Sequence, residues 1–184
     1  DIELLISQVE RCTQILKRLS LDPIEEDDFI DEDIDLRGYI SQIVASFQET
    51  SDKNFILNFD QDSSPKKISK SIEIIYGLRN FIGNANKFAK EKIFITLKSN
   101  NDFSEVIIED DGEGYPSEIL SKIGEPYLRT LDKKKKGKTG LGLGIFIGKT
   151  LLEKNFASLN CQNSKTRSGA EVSIKWKSQD LSKI

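Results

Sequence analysis

Apolar residues recur at alternating spacings of three and four over the first 20 positions of the chain. This spacing makes a narrow stripe along a helix, which is typical of a helix that pairs with another helix. We therefore predict an oligomerising helix over 1–20, although a helix lying on its own domain would show a similar stripe. The residues of the stripe are Ile2, Leu5, Val9, Cys12, Leu16 and Leu19.

Helical spacing also predicts the helices of a separate domain further along the chain. Asp35 is a suitable N-cap for a helix over 36–50, and Ser71 for a longer helix over 71–90. Another helix follows a glycine-rich stretch and ends near Asn155, and a short helix fits 117–123. The apolar face of the helix over 36–50 consists of Leu36, Tyr39, Ile40, Ile43, Val44 and Phe47.

Short apolar or alternating runs predict strands over 55–59, 91–99, 103–110, 157–163 and 171–176. Along the chain, the order is helix, strand, helix, two strands, loop, helix and two strands. Because strands and helices are interleaved in this way, we expect an α+β sandwich. Its sheet should be mixed but mostly antiparallel, with helices on one face.

Composition limits the class of protein. The chain has 184 residues and a net charge of −3, which argues against a general nucleic-acid binder. Histidine is absent, so histidine triads, histidine metal sites and histidine general bases are excluded for this sequence. The 2 cysteines form no disulfide framework, and no apolar run is long enough to cross a bilayer. We therefore expect a cytoplasmic domain.

Charge patterning predicts the domain boundaries. Nine acidic residues and no basic residue over 22–35 indicate a linker after a helical segment at 1–21. The main domain then covers 36–178, and 179–184 forms a tail. Since the chain opens on Asp1 and contains no methionine, we expect it to be part of a longer protein.

Four glycines, at 137, 140, 142 and 144, precede the last predicted helix. Glycine lets backbone N–H groups approach an anion closely, and a helix N-terminus adds a partial positive charge. The stretch therefore predicts a phosphate-binding loop. It is not a P-loop, because the glycine that this motif requires is replaced by Asp132 before one Gly-Lys-Thr and by Leu143 before the other.

The long predicted helix carries polar residues that suit a metal-bound phosphate. Asn80, Asn84 and Lys87 are spaced i, i+4 and i+7, so they share one helix face. Carboxamide oxygens suit a hydrated Mg²⁺, and a lysine suits phosphate oxygens. A plain polar outer face is the alternative, but asparagine is a poor residue for a helix interior.

Two further motifs follow the long predicted helix. Asp110 follows a strand, where its carboxylate could accept a hydrogen bond from an exocyclic amine such as that of adenine, with Gly112 and Gly114 leaving bare backbone beside the base. An ordinary acidic turn is the alternative. The segment 124–138 is rich in lysine and predicts a lid over a triphosphate, or otherwise a solvated charge run.

Together these motifs resemble, in order and spacing, the N, G1, F and G2 boxes of the GHKL ATPase superfamily, and most of all the catalytic domain of sensor histidine kinases. Within that family, the stretches 8–16, 124–127 and 144–153 are similar to RegB/PrrB-type redox-responsive kinases. Residues 1–20 resemble the second helix of the dimerisation domain. The matching motifs are Asn84-Ala85-x-Lys87-Phe88, Asp110-x-Gly112-x-Gly114, Glu125-Pro126-Tyr127 and Gly140-x-Gly142-x-Gly144.

The resemblance implies a Bergerat-type fold that binds ATP and Mg²⁺. It implies that Asp110 binds the adenine amino group, Asn84 ligates Mg²⁺ with Asn80 nearby, Lys87 contacts phosphates, and Phe88 stacks near the base. The implied catalytic residues are Asn80, Asn84 and Lys87. The implied nucleotide-binding residues are Asn84, Lys87, Phe88, Asp110, Gly112, Gly114, Tyr127, Arg129, Gly140, Leu141, Gly142, Leu143 and Gly144.

Two departures from the family pattern matter. Ala170 stands where many relatives place a threonine near the adenine, and the phosphoacceptor histidine is absent. The resemblance then implies a protein-histidine kinase domain that binds Mg-ATP but donates the γ-phosphate to a histidine outside this sequence, so it does not autophosphorylate alone. The implied partners are the histidine-bearing dimerisation helix, a response regulator and a second copy in a homodimer, within an inner-membrane parent.

Other interpretations stay open at this point. An ATP-gated conformational module is one, although Asn80 occupies the position of the glutamate on which that branch depends. A GHKL serine kinase and a degenerate nucleotide sensor are others. Cys12 is a candidate redox residue because its place in the stripe would face its mate in a parallel dimer, and a small buried hydrophobe is the alternative.

Overall fold

The computed structural model describes residues 35–60, 71–126 and 143–181. All of them belong to one compact unit. The predicted dimerisation-type helix, almost all of the acidic linker and most of the lysine-rich lid segment lie outside the described residues. Within the described part of the chain, no helix combines the length and the apolar character needed to cross a membrane.

The described elements confirm the predicted order of helices and strands. They are α1 (Leu36–Gln48), β1 (Asn54–Phe59), α2 (Ile72–Phe88), β2 (Lys92–Ser99), β3 (Phe103–Asp110), α3 (Ser117–Leu120), α4 (Gly144–Lys154), β4 (Ser158–Asn163), β5 (Ala170–Lys177) and α5 (Ser178–Leu181).

Both predicted N-caps are present. The side chain of Asp35 accepts a hydrogen bond from Gly38 N at 2.8 Å, and that of Ser71 accepts one from Ile74 N at 3.3 Å. Each bond satisfies one of the N–H groups that a helix start leaves without a partner. The caps therefore fix where α1 and α2 begin.

The five strands form one mixed sheet in the order β1-β2-β3-β5-β4. β1 runs parallel to β2, and the other three pairs are antiparallel, as predicted. On β2, β3 and β5 every second residue is buried, and paired residues such as Ile95 and Ile108 point to the same face. The helices pack on this apolar face, and the core lies between the two layers.

Three predicted helix ends differ from the structure, and four of the five strands have a limit that is off by one residue. The predicted helices over 36–50 and 71–90 each end two residues too late, since α1 stops at Gln48 and α2 at Phe88. α2 stops because the carboxylate of Asp111 accepts hydrogen bonds from Lys90 N and Glu91 N, which turns the chain into β2. The short helix predicted over 117–123 ends at Leu120.

Candidate functional site

Asp110 is the last residue of β3, and it is almost completely buried, with 3% of its surface exposed. Its Oδ1 accepts hydrogen bonds from Gly112 N at 2.8 Å and Ala170 N at 3.3 Å. Burial raises the pKa of this carboxyl, and the two N–H groups partly oppose that rise. Oδ2 accepts no hydrogen bond from the described residues, so it is available to a donor on a ligand.

Two glycines allow the backbone to close around Asp110. A Cβ at Gly112 would collide with the carbonyl oxygen of Phe88, and a Cβ at Gly169 would collide with the carbonyl oxygen of Asp110 itself. Since these neighbours are backbone atoms, they cannot rotate out of the way as a side chain would. Both glycines are therefore required by the close approach of chain segments around the carboxylate.

The loop after β3 is tied to the end of β4 by one side chain. Asn163 Oδ1 accepts a hydrogen bond from Tyr115 N at 2.6 Å, and Asn163 Nδ2 donates one to Tyr115 O at 2.9 Å. Gly114, one residue earlier, has a φ of +74°, a backbone conformation that favours glycine. These two hydrogen bonds to Asn163 fix the loop that begins at Asp110.

The polar face of α2 meets the start of α4. A Cβ at Gly148 would lie 3.0 Å from Asn80 Cβ, and a Cβ at Gly144 would lie 3.3 Å from Asn80 Oδ1, so the two helices pack closely there. Asn80 Nδ2 donates to Tyr76 O at 2.8 Å, which leaves its Oδ1 pointing away from its own backbone. The predicted glycine loop therefore ends beside the predicted asparagine face.

The next turn of α2 carries the other residues predicted to bind nucleotide. Asn84 is half-buried and makes no hydrogen bond with the residues that the structure describes. Lys87 Nζ lies 5.3 Å from the centroid of the Phe88 ring, and Phe88 is 47% exposed. An uncovered aromatic ring and a cation thus stand at the end of α2, close to the backbone that contacts Gly112.

Comparison with known proteins identifies the family. Residues 70–180 match the family described as histidine kinase-, DNA gyrase B-, and HSP90-like ATPase. The chain belongs to this ATPase family. As a member it has an ATP-binding domain, and the matched region contains Asp110 and the asparagines of α2.

Sensor histidine kinases are among the relatives of the chain. It is 33% identical, over 96% of its length, to the sensor histidine kinase RegB of Cereibacter sphaeroides. It spans only 42% of the length of that relative. The fold resembles that of a mycobacterial sensor histidine kinase, MprB, with a TM-score of 0.67 and 19% identity, over 79% of this chain and 97% of that one.

A second solved structure agrees. The catalytic domain of the histidine kinase ThkA superimposes with a TM-score of 0.65 and 21% identity, over 79% of this chain and 95% of that one. At such low identity these likenesses show the fold alone. They confirm the predicted architecture of a mixed five-stranded sheet backed by helices.

In this ATPase domain the side-chain donors on α2 suit Mg²⁺ better than a metal ion that is bound by several acidic, cysteine or histidine side chains. The described residues contain no group of three or more acidic, cysteine or histidine side chains that could hold a metal ion. The side-chain oxygens of Asn80 and Asn84 are neutral donors on one face of α2 that could ligate a metal ion. Mg²⁺ accepts few protein ligands when phosphate oxygens and waters complete its shell, so this donor set fits it.

The described residues include only the end of the predicted phosphate loop. Leu143, which is half-buried, and Gly144 form the start of α4, where Leu143 O accepts a hydrogen bond from Ile147 N at 2.8 Å. The rest of the predicted phosphate loop and lid lies outside the described residues, as does the redox candidate. These residues are Cys12, Tyr127, Arg129, Gly140, Leu141 and Gly142.

Ala170 was expected near the adenine, and its backbone N–H contacts Asp110. Two other residues around Asp110 were not predicted to belong to the site, namely Gly169 and Asn163. The signal for Gly169 was present, since a glycine directly before a strand often marks a close backbone approach. No local pattern indicates Asn163, because its partner Tyr115 is 48 positions away.

Cys161 is a strand residue of β4, as predicted, and it is half-buried. Burial raises the pKa of its thiol to about 11, although the nearby charge of Lys149 partly lowers it. The thiol is therefore protonated at neutral pH and is a weak nucleophile.

Proposed function

We propose that this chain is the ATP-binding, catalytic part of a sensor histidine kinase, and that it passes the γ-phosphate of Mg-ATP to a histidine outside this sequence. The observation that carries the proposal is the buried carboxylate of Asp110, whose Oδ1 is held by two backbone N–H groups while Oδ2 accepts no hydrogen bond from the described residues. The acceptor must come from elsewhere, because this sequence contains no histidine.

The residues have separable roles in this proposal. Asp110 Oδ2 accepts a hydrogen bond from the exocyclic amine of adenine, while Gly112 N and Ala170 N hold its other oxygen. Asn84, with Asn80 beside it, holds Mg²⁺, which supplies charge neutralisation at the phosphates when it is bound. Lys87 binds phosphate oxygens. Phosphoryl transfer needs mainly positioning and electrostatic stabilisation, so no nucleophile from this chain is required.

The similarity to RegB supports the proposed context. We propose that the parent protein is a membrane sensor, that it works as a homodimer through a helix at 1–21, and that it phosphorylates a response regulator. Redox control is part of the proposal, with Cys12 as its sensor. After mild oxidation, non-reducing electrophoresis should show a dimer band that is lost in Cys12→Ser. A band that persists in this variant would exclude Cys12.

An ATP-gated module that hydrolyses ATP is the competing function. That chemistry needs a general base for water, and a carboxamide such as that of Asn80 does not accept a proton near neutral pH. Asn80 is also engaged in a hydrogen bond to Tyr76 O. Asn80 therefore favours the kinase function, in which the nucleophile is the phosphoacceptor histidine itself.

Complementation in trans tests the proposal. The chain is mixed with a separately produced dimerisation domain that carries the histidine, and labelled Mg-ATP is added. We expect acid-labile phosphate on the added domain, none on this chain, and a large decrease with Asp110→Asn. Incorporation of phosphate into this chain alone, or release of inorganic phosphate without transfer, would refute the kinase proposal.

A further inference from the structure

The hydroxyl of Tyr115 is a buried polar group that has no partner. Tyr115 is 9% exposed, and its Oη makes no hydrogen bond in the part of the chain that the structure describes. Buried polar groups in native proteins are nearly always hydrogen-bonded, so an exception requires an explanation. A ligand that is absent from the free protein is one such explanation.

The position of this hydroxyl is set by the backbone on either side of it. Tyr115 N and Tyr115 O are both bonded to the side chain of Asn163, at 2.6 and 2.9 Å. Gly114 turns the chain directly before it, with a φ of +74°. The loop therefore fixes the backbone of Tyr115, and burial keeps its hydroxyl away from water.

The loop that carries Tyr115 lies against the chain segment that surrounds the buried carboxylate. A Cβ at Gly114 would lie 3.3 Å from Gly169 O, and a Cβ at Gly169 would collide with Asp110 O. The register pairs Glu109 with Glu171, which places Asp110 beside Ala170 at the end of the sheet. Burial raises the pKa of Tyr115 most, and the charges of an ionised Cys161 and of Asp110 raise it further, which agrees with a hydroxyl near both groups. It is neutral at physiological pH and can donate a hydrogen bond.

We propose that the Tyr115 hydroxyl is a second recognition group for the adenine base, donating to its N1 nitrogen directly or through one water molecule. The inference rests on the proposed function, since it concerns the same site. The edge of adenine carries an amine donor next to the N1 acceptor. Asp110 Oδ2 supplies the matching acceptor, and Tyr115 Oη the matching donor. Guanine presents the opposite order, with an acceptor oxygen next to an N–H.

The test compares ATP with 1-deaza-ATP, in which a C–H group replaces N1, by titration calorimetry on the full chain. Wild type should bind ATP about 3- to 10-fold more tightly than the analogue, the range expected for one neutral hydrogen bond. Tyr115→Phe should bind both nucleotides equally, at the affinity of wild type for the analogue. Its ligand-free melting temperature should be equal to or above that of wild type, because it removes a hydroxyl that has no partner.

Tyr39→Phe is the matched control. The Tyr39 hydroxyl is also buried, but it accepts a hydrogen bond from Ser71 N at 3.4 Å and lies outside the site. This variant should melt at a lower temperature and keep the wild-type preference for ATP over 1-deaza-ATP. A Tyr115→Phe variant that keeps that preference, or that melts below wild type at unchanged affinity, would overturn the inference. If wild type binds ATP but does not distinguish the analogue, only this inference fails; if it binds no ATP, the proposed function fails first.

Discussion

Replacing Asp110 by asparagine separates the binding role of this residue from its effect on stability. The side chain keeps its size, and the amide oxygen can still accept hydrogen bonds from Gly112 N and Ala170 N. Only the second oxygen changes, from an acceptor to an NH₂ donor. In the nucleotide complex this donor would face the donor amine of adenine.

The expected loss of affinity follows from that one bond. A hydrogen bond to a charged group contributes about 1.5–3 kcal/mol, which corresponds to a decrease in ATP affinity of about 10- to 150-fold. Repulsion between the two donors, the new NH₂ group and the adenine amine, adds to this loss. Titration with a fluorescent ATP analogue at pH 7.5, followed by competition with ATP, measures it directly.

The stability of the ligand-free protein should change in the opposite direction. Burial raises the pKa of Asp110 from its ordinary value of 3.8, so the folded state holds the proton more tightly than the unfolded state. The stability due to Asp110 is therefore fully present below the unfolded pKa and is lost as pH rises through the folded pKa. Asparagine carries no such loss, so the variant should be at least as stable as wild type at pH 7 in urea denaturation.

Asp111→Asn is the matched control, one residue away. Burial opposes the shift, but backbone N–H groups of Glu91, Lys92 and Lys90 lower the pKa of Asp111, so its charge stabilises the folded state above the unfolded pKa. This variant should lose stability at pH 7 and keep its ATP affinity. The reasoning fails if Asp110→Asn binds ATP like wild type. It also fails if Asp110→Asn is less stable than wild type while Asp111→Asn is unchanged.

Three further predictions concern the rest of the site. Asn84→Ala should abolish the gain in ATP affinity that Mg²⁺ produces and leave metal-free binding unchanged, as measured by titration with and without the ion. Lys87→Ala should weaken ATP binding about 10-fold through loss of a charged hydrogen bond. Lys149→Ala should leave ATP binding unchanged. If Lys149→Ala weakens binding and Lys87→Ala does not, Lys87 is not the lysine that binds phosphate. Gly169→Ala should lower the urea midpoint and abolish ATP binding, because its Cβ would collide with the backbone of Asp110.

Local patterns were sufficient for most of the fold. The spacing of apolar residues predicts α1 and α2, and Asp35 and Ser71 predict where these helices begin, because capping depends on residues only three positions apart. The position of Asp110 at the end of β3 also follows from local alternation. Helix ends were less accurate, since α2 is stopped by a carboxylate 21 positions away.

The interior of the site could not be predicted in the same way. Ala170 N reaches Asp110 across 60 positions of sequence, and Asn163 reaches Tyr115 across 48. These contacts form only when β5 and β4 add to the edge of the sheet beyond β3, so no window of sequence contains both partners. The missing partner of the Tyr115 hydroxyl is a property of the packed molecule, and a count of residue types does not reveal it.

Burial of Asp110 explains why a site that binds nucleotide also reduces the stability of the free domain. Low polarity around the carboxylate raises its pKa, which disfavours the charged form, yet the same environment strengthens any hydrogen bond that the charge accepts. The hydrogen bonds that Oδ1 accepts from two N–H groups limit the free-energy cost of burying the charge and fix the orientation of the carboxylate. Since Tyr115 Oη also lacks a partner among the residues that the structure describes, a base that satisfies both groups removes two unfavourable terms at once. ATP should therefore stabilise the fold through its base as well as through its phosphates.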